Sequence, residues 1–126
     1  MESKVSIWMG LFEGEEEFQK YTNIDYTVDG DSIPSEFEKE FDLEYYDRAL
    51  VEKKYIYKTS NIEKLFNKFS YSDSFQKNDL IVKQEYNSII LIYDIENVID
   101  NTNILKDKTM DYMGEIIYEK IVEDKW

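Results

Sequence analysis

The chain contains no histidine and no cysteine. Without imidazole it lacks a side chain that ordinarily titrates near neutrality, which excludes Ser/His/Asp and Cys/His nucleophile arrangements, imidazole bases and histidine-ligated zinc. Without cysteine it can build neither a disulfide framework nor a thiolate metal site, a composition suited to a reducing cytosol. Proline occurs once, at Pro34, and glycine four times. Gly10, Gly14, Gly30 and Gly114 match no phosphate-cradling loop, and no Pro/Gly-rich stretch offers a linker. No apolar run reaches the roughly 18 residues of a membrane span, and the first residues lack the basic start and apolar stretch of a signal peptide. Carboxylate-only chemistry such as glycoside hydrolysis is the main reaction class left. Among 28 Asp and Glu residues, however, the nearness of two acids carries no information. The expectation is a cytoplasmic protein that is not an enzyme and needs no cofactor.

Positive charge is scarce as well. Fifteen Lys and Arg stand against the 28 acids, a formal net charge of −13. Phosphate contacts supply most nucleic-acid affinity, so direct nucleic-acid binding is disfavoured. The deficit is regional. Residues 1–47 hold 14 acids and only Lys4, Lys20 and Lys39 as bases, whereas residues 48–126 hold 14 acids and 12 bases. Crowding like charges on one part of a folded surface costs stability, and its usual return is solubility or a cationic partner. At 126 residues, with 42% apolar and 16% aromatic side chains, the chain is long and apolar enough to form one globular domain around a single core.

Residues 5–12 (VSIWMGLF) read as a buried first strand. Glu15, Glu16 and Glu17 open a short helix with Phe18 and Tyr21 on its inner face. A second helix is predicted over 34–42, with Pro34 in its first turn, Ser35 and Glu38 as a capping box, and Ile33, Phe37 and Phe41 recurring every four residues. Residues 51–58 fit a weak strand. Ser60 with Glu63 predicts the cap of a third helix carrying Leu65, Phe66 and Phe69, and Asp73 with Gln76 a fourth starting near Phe75. The run 88–94 (SIILIYD) is the clearest strand and should lie centrally in the sheet, 97–109 reads as loop, and 112–122 fits either an edge strand or, with Met113, Ile117 and Ile121 four apart, a helix, the strand being the reading taken. Together these predict an α+β fold, a small mainly antiparallel sheet packed with about four helices in a single domain.

Residues 25–36 (DYTVDGDSIPSE) nearly spell a twelve-residue calcium loop, with Asp25, Asp29, Gly30, Asp31 and Glu36 at its first, fifth, sixth, seventh and twelfth positions. Thr27 replaces the oxygen-rich third ligand, Ser32 replaces the usual apolar residue, and Pro34 stiffens the exit. The competing reading is an aspartate-rich turn in which Gly30 supplies a positive φ.

Several segments in one order resemble the immunity protein 22 family of bacterial polymorphic-toxin systems. They are Trp8-Met9-Gly10 followed by Phe12, the Glu15-Glu16-Glu17-Phe18 to Tyr21 helix, Tyr26-Thr27, Asp29 to Ser35 followed by Phe37, the Tyr46-Asp47 pair, Phe69 to Phe75, and the apolar strand from Ile89 to Tyr93. The resemblance implies a protein that binds the active domain of a cognate secreted toxin inside the producing cell and blocks it, and no catalytic residues are carried over from it. Trp8, Gly10, Gly30 and Pro34 read as fold determinants. A toxin domain with a basic surface, such as a nuclease groove, would meet the acidic region favourably, without nucleic acid or membrane as partner. The candidate binding residues are therefore Asp25, Asp29, Asp31, Glu36, Asp42, Glu44 and Asp47, with Tyr26, Tyr45 and Tyr46 as aromatic anchors. The alternatives are a calcium-binding regulatory module built on residues 25–36 and a carboxylate-based hydrolase, which would need two facing acids of unequal pKa.

Overall fold

The computed structural model describes residues 2–43, 46–78, 80–95 and 109–120. The elements are β1 (Glu2–Gly10), α1 (Glu15–Thr22), β2 (Asp25–Tyr26), β3 (Ser32–Ile33), α2 (Glu36–Glu40), β4 (Val51–Thr59), α3 (Ile62–Leu65), β5 (Tyr86–Tyr93) and β6 (Met110–Glu119), with single 3₁₀ turns at Arg48–Leu50 and Ser72–Ser74. β4, β5, β1 and β6 form one antiparallel sheet in that order, and β2 pairs with β3 as a separate small hairpin.

The apolar run in β5 is continuous because both faces of that strand are covered, and every residue of it is buried. Side chains alternate across a strand. On one face Val5, Ile7 and Met9 of β1 join Ile89, Leu91 and Tyr93 of β5 under Leu65, Phe66, Phe69, Phe75 and Leu80. On the other, Trp8, Ile90, Ile92 and Met110 lie under Phe18 and Tyr21 of α1, Phe37 of α2, and Phe41 and Leu43 beyond it. The sheet is thus the middle of three layers, with α1 and α2 on one side and α3 with its following coil on the other.

Local chemistry accounts for the details. Trp8 is fully buried and meets Phe37 edge-on with centroids 5.1 Å apart, while its indole N–H finds no partner among the described residues. Gly10 is required by packing, since a Cβ there would stand 2.9 Å from Met110 Cγ. β6 carries a bulge where Ile7 pairs with Gly114 and Trp8 with Tyr112, and Gly114 takes the positive φ (+95°) that the extra residue demands.

Several expectations are corrected. Among the described residues there are three α-helices, not four. The segment around Phe75 is a 3₁₀ turn followed by extended chain, because the Gln76 amide donates to the Ile117 carbonyl of β6 (2.9 Å) and is not free to start a helix. α3 is capped by Asn61, whose Oδ1 accepts from the Lys64 amide at 3.1 Å, and not by Ser60. α2 covers 36–40 only: Pro34 stands before the Ser35 cap, and Ile33 lies exposed on β3. β1 runs from Glu2 to Gly10, shifted towards the amino terminus from the predicted 5–12. The predicted loop at 97–109 lies outside the described residues except for Thr109, as do 121 and 122.

Candidate functional site

Exposed acidic side chains stand on α1, on the β2–β3 hairpin and on α2, among them Glu15, Asp25 and Glu36. Glu15, Glu16 and Glu17 occupy the first turn of α1, where carboxylates complement the helix dipole, while Phe18 and Tyr21 turn inward. Tyr21 is fastened to the neighbouring helix by its phenol, which donates to Glu40 Oε2 at 2.6 Å. Burial, with the Glu40 bond and the charges of Glu40 and Glu36, drives that phenol far above its ordinary pKa, so it is a structural donor and not an acid in use. Glu40 also accepts from the amide and hydroxyl of Thr109, tying the start of β6 to α2.

The hairpin is the predicted aspartate-rich turn in a more definite form. The Thr27 amide donates to the Asp31 carbonyl (2.8 Å) and the Gly30 amide to the Thr27 carbonyl (3.0 Å). The Asp31 amide in turn donates to Thr27 Oγ1 at 3.1 Å. Gly30 has φ +90°, the left-handed position of a three-residue hairpin loop. The loop therefore closes on its own backbone. Among the described residues no group of three or more Asp and Glu side chains is placed to hold a metal ion.

This turn lifts apolar side chains into solvent: Val28 is fully exposed at its tip, Tyr26 is 65% exposed and Ile33 39%. Asp25, Asp29 and Asp31 are exposed around them, with Asp25 Oδ1 accepting from Asn23 Nδ2 at 2.7 Å. Glu36 follows, exposed and 3.5 Å from Lys39 Nζ. Asp42 is exposed with φ +53°, in the turn that ends α2. Asp47 has a local task, its Oδ1 accepting from the Ala49 amide (2.9 Å) to cap a 3₁₀ turn. Glu44 and Tyr45 lie outside the described residues.

Tyr46 is not a free anchor. It is half-buried, and its hydroxyl donates to Glu38 Oε2. Glu38 is itself only 3% exposed and is the centre of a network that extends beyond the cap. One oxygen accepts from the Ser35 amide (3.0 Å), closing the capping box, and the Arg48 guanidinium grips both oxygens at 3.0 and 3.1 Å. Burial acts to raise this carboxyl's pKa, but the bonds from Arg48, Tyr46 and the Ser35 amide outweigh it and hold the group below the ordinary carboxylate range. Asp94 is likewise held low against burial by Lys120 and Tyr118, each 2.8 Å away. Both shifted carboxyls are thus structural ion-pair partners, not a facing pair of unequal pKa. Nothing in the sequence spacing signals the pairing of Glu38 with Arg48, ten residues away.

The Immunity protein 22 family profile matches residues 5–119. No curated protein and no solved structure shows a match to the chain. Among the described residues no helix is long and apolar enough to cross a membrane. The family match spans β1 through β6 and so takes in the hairpin, the Glu38 network and all three layers, and the chain belongs to the immunity protein 22 family.

Proposed function

We propose that the protein neutralises its cognate toxin as a stoichiometric inhibitor, docking the acidic hairpin face against a basic surface of the toxin domain. Family membership supports toxin neutralisation, and one observation supports the face: Tyr26, Val28 and Ile33 stand exposed among Asp25, Asp29 and Asp31 on a hairpin that buries none of them. Apolar side chains surrounded by charge are the usual anatomy of a binding patch, the apolar centre supplying affinity and the carboxylates steering the encounter. Glu36 and Asp42 extend the negative rim. Asp47 and Tyr46 act behind it by holding the backbone and the Glu38 network. A basic nuclease groove fits this face, the carboxylates standing where phosphates would lie.

The test is association with the toxin domain encoded beside the protein, followed by stopped flow at several salt concentrations. Asp29→Lys with Asp31→Lys should slow association about tenfold at low salt and flatten its salt dependence, because salt screens the long-range attraction that speeds encounter. Asp73→Lys with Glu85→Lys changes net charge equally at exposed positions outside the hairpin and should do little. Equal slowing by the two double variants would mean that only net charge matters. Unchanged rates for the first would move the interface off the hairpin.

A further inference from the structure

A seam between α1 and the sheet edge is not used by the hairpin face. β4 is an edge strand whose outer side has no strand partner among the described residues. α1 lies beside it, with Phe18 and Tyr55 ring centroids 6.3 Å apart and Lys53 Nζ donating to Thr22 Oγ1 at 2.7 Å. At one end of the seam is a groove of about 910 Å³ lined by Leu11, Phe12, Glu13, Tyr55, Tyr57 and Lys58. A break in register shapes it. Tyr55 pairs with Ser88 and Thr59 with Tyr86, so Ile56, Tyr57 and Lys58 face Asn87 alone, and Tyr57 is thrown out to 97% exposure beside Leu11 at 53%. The groove is preformed, because Asn87 holds the Phe12 amide (3.0 Å), the Phe12 carbonyl (2.7 Å) and the Tyr55 hydroxyl (3.3 Å).

At the other end is a cleft of about 230 Å³ whose walls include Ile24, Phe37, Val51 and Ile90. It holds two cations. Arg48 is already taken by Glu38, but Lys53 has no carboxylate within ion-pair distance among the described residues, in a chain with 28 of them. Burial pushes its pKa down. The groove is lined by one acid and one base, Glu13 and Lys58, whereas in the cleft Lys53 is a cation with no acid among the lining residues. Lys53 belongs to a wider reversal of sign: residues 48–68 hold six bases and two acids, within a chain of net charge −13.

We propose that the seam receives an extended segment of the toxin, laid along β4 with an apolar side chain in the Leu11–Tyr57 groove and a carboxylate on Lys53. The inference rests on the toxin-binding reading above. An edge strand offers unpaired backbone groups to an added strand, while pockets for individual side chains supply selectivity. Charge complementarity fixes the chemistry of the segment: the acidic hairpin selects a basic surface, whereas the seam selects a carboxylate. At roughly 3.3 Å per residue, Lys53 and Tyr57 lie within about 13 Å along the strand, so the carboxylate and the apolar side chain belong about four residues apart in the partner. Seam and hairpin join into one surface, since α1, about 12 Å long, leads from Leu11–Glu13 at the groove to Asn23–Asp25 at the hairpin.

The probe is the same toxin domain, titrated calorimetrically into the parent protein, Tyr57→Ala, Lys53→Gln and the hairpin double variant, with hydrogen exchange of the β4 amides in the free protein and the complex. Tyr57→Ala and Lys53→Gln should each weaken binding about tenfold, and β4 amides should gain protection. Tyr57 is exposed, so its loss should leave the melting temperature unchanged, separating binding from folding. Parent-like affinity for both single variants with unaltered β4 exchange, alongside weakened binding by the hairpin variant, would overturn the seam and leave the hairpin face standing. A Lys53→Gln variant that melts lower yet binds normally would likewise assign Lys53 to folding alone. Failure of the parent protein to bind the toxin domain would overturn the toxin reading itself, and the seam with it.

Discussion

Phe66→Ala should destabilise the protein by roughly 3 to 5 kcal/mol, the range for deleting a buried aromatic side chain. Phe66 is 1% exposed, ends α3, and meets Phe75 edge-on with centroids 5.3 Å apart. The void cannot close easily. α3 is a single turn held by Asn61 on one side and by the core contacts of Leu65 on the other, and Phe75 sits on extended chain fixed to β6 through Gln76. A small domain has stability of only about 5 to 15 kcal/mol, so the variant should lose a large part of it. Chemical denaturation with an unchanged slope is the appropriate measurement. A midpoint within a few tenths molar of the parent would mean that this layer is loosely packed and that the sheet is stabilised from the α1–α2 side.

Arg48→Met should cost about 3 kcal/mol at neutral pH, because it removes the charged partner of a carboxylate with almost no solvent access. The sign of its pH dependence follows from the network. In the parent protein Glu38 has a folded-state pKa below its unfolded value, so its contribution is present above the unfolded pKa and lost as pH falls through the folded one. Without Arg48 its hydrogen bonds and charge no longer oppose burial, which is the largest single influence on this carboxyl, so the folded pKa rises from its value in the parent. The variant then pays for an ionised buried group near neutrality and recovers as acid protonates it. The stability gap between parent and variant should therefore narrow from pH 7 towards pH 4, measured by thermal or denaturant melts across that interval. A gap independent of pH would assign the loss to side-chain packing and not to charge.

Elements dominated by local chemistry were legible in the sequence, and those decided by distant partners were not. The Ser35–Glu38 capping box, the inward Phe18 and Tyr21, and the two-faced apolar strand β5 all follow from residues within a turn or a strand of one another. The supposed fourth helix failed because Gln76 has a hydrogen-bonding partner in β6, far along the chain. Ile33 fitted a helical period with Phe37 and Phe41 by coincidence, since the hairpin turn at Gly30 reverses the chain just before it. The candidate surface was legible as charge and not as shape. Its exposed aspartates were evident from composition, whereas the fate of Tyr46 depended on an arginine and a glutamate whose meeting only the fold arranges. The register break that exposes Tyr57 likewise depends on how β4 meets β5.

The position of β1 has a kinetic consequence. It precedes the other strands in the chain yet lies inside the sheet, where Val5 pairs with Tyr93 on one side and Lys4 with Ile117 on the other. Closing such large loops costs entropy before any sheet contact repays it, and chains dominated by non-local pairing fold in milliseconds to seconds instead of microseconds. Refolding of a Trp126→Phe variant followed by Trp8 fluorescence should fall in that slow range, and a microsecond phase recovering the full signal would contradict it. Until β5 and β6 have emerged from the ribosome, the nascent chain holds an apolar strand without sheet partners, so the four-stranded sheet is assembled only after the whole span from β1 to β6 has been synthesised.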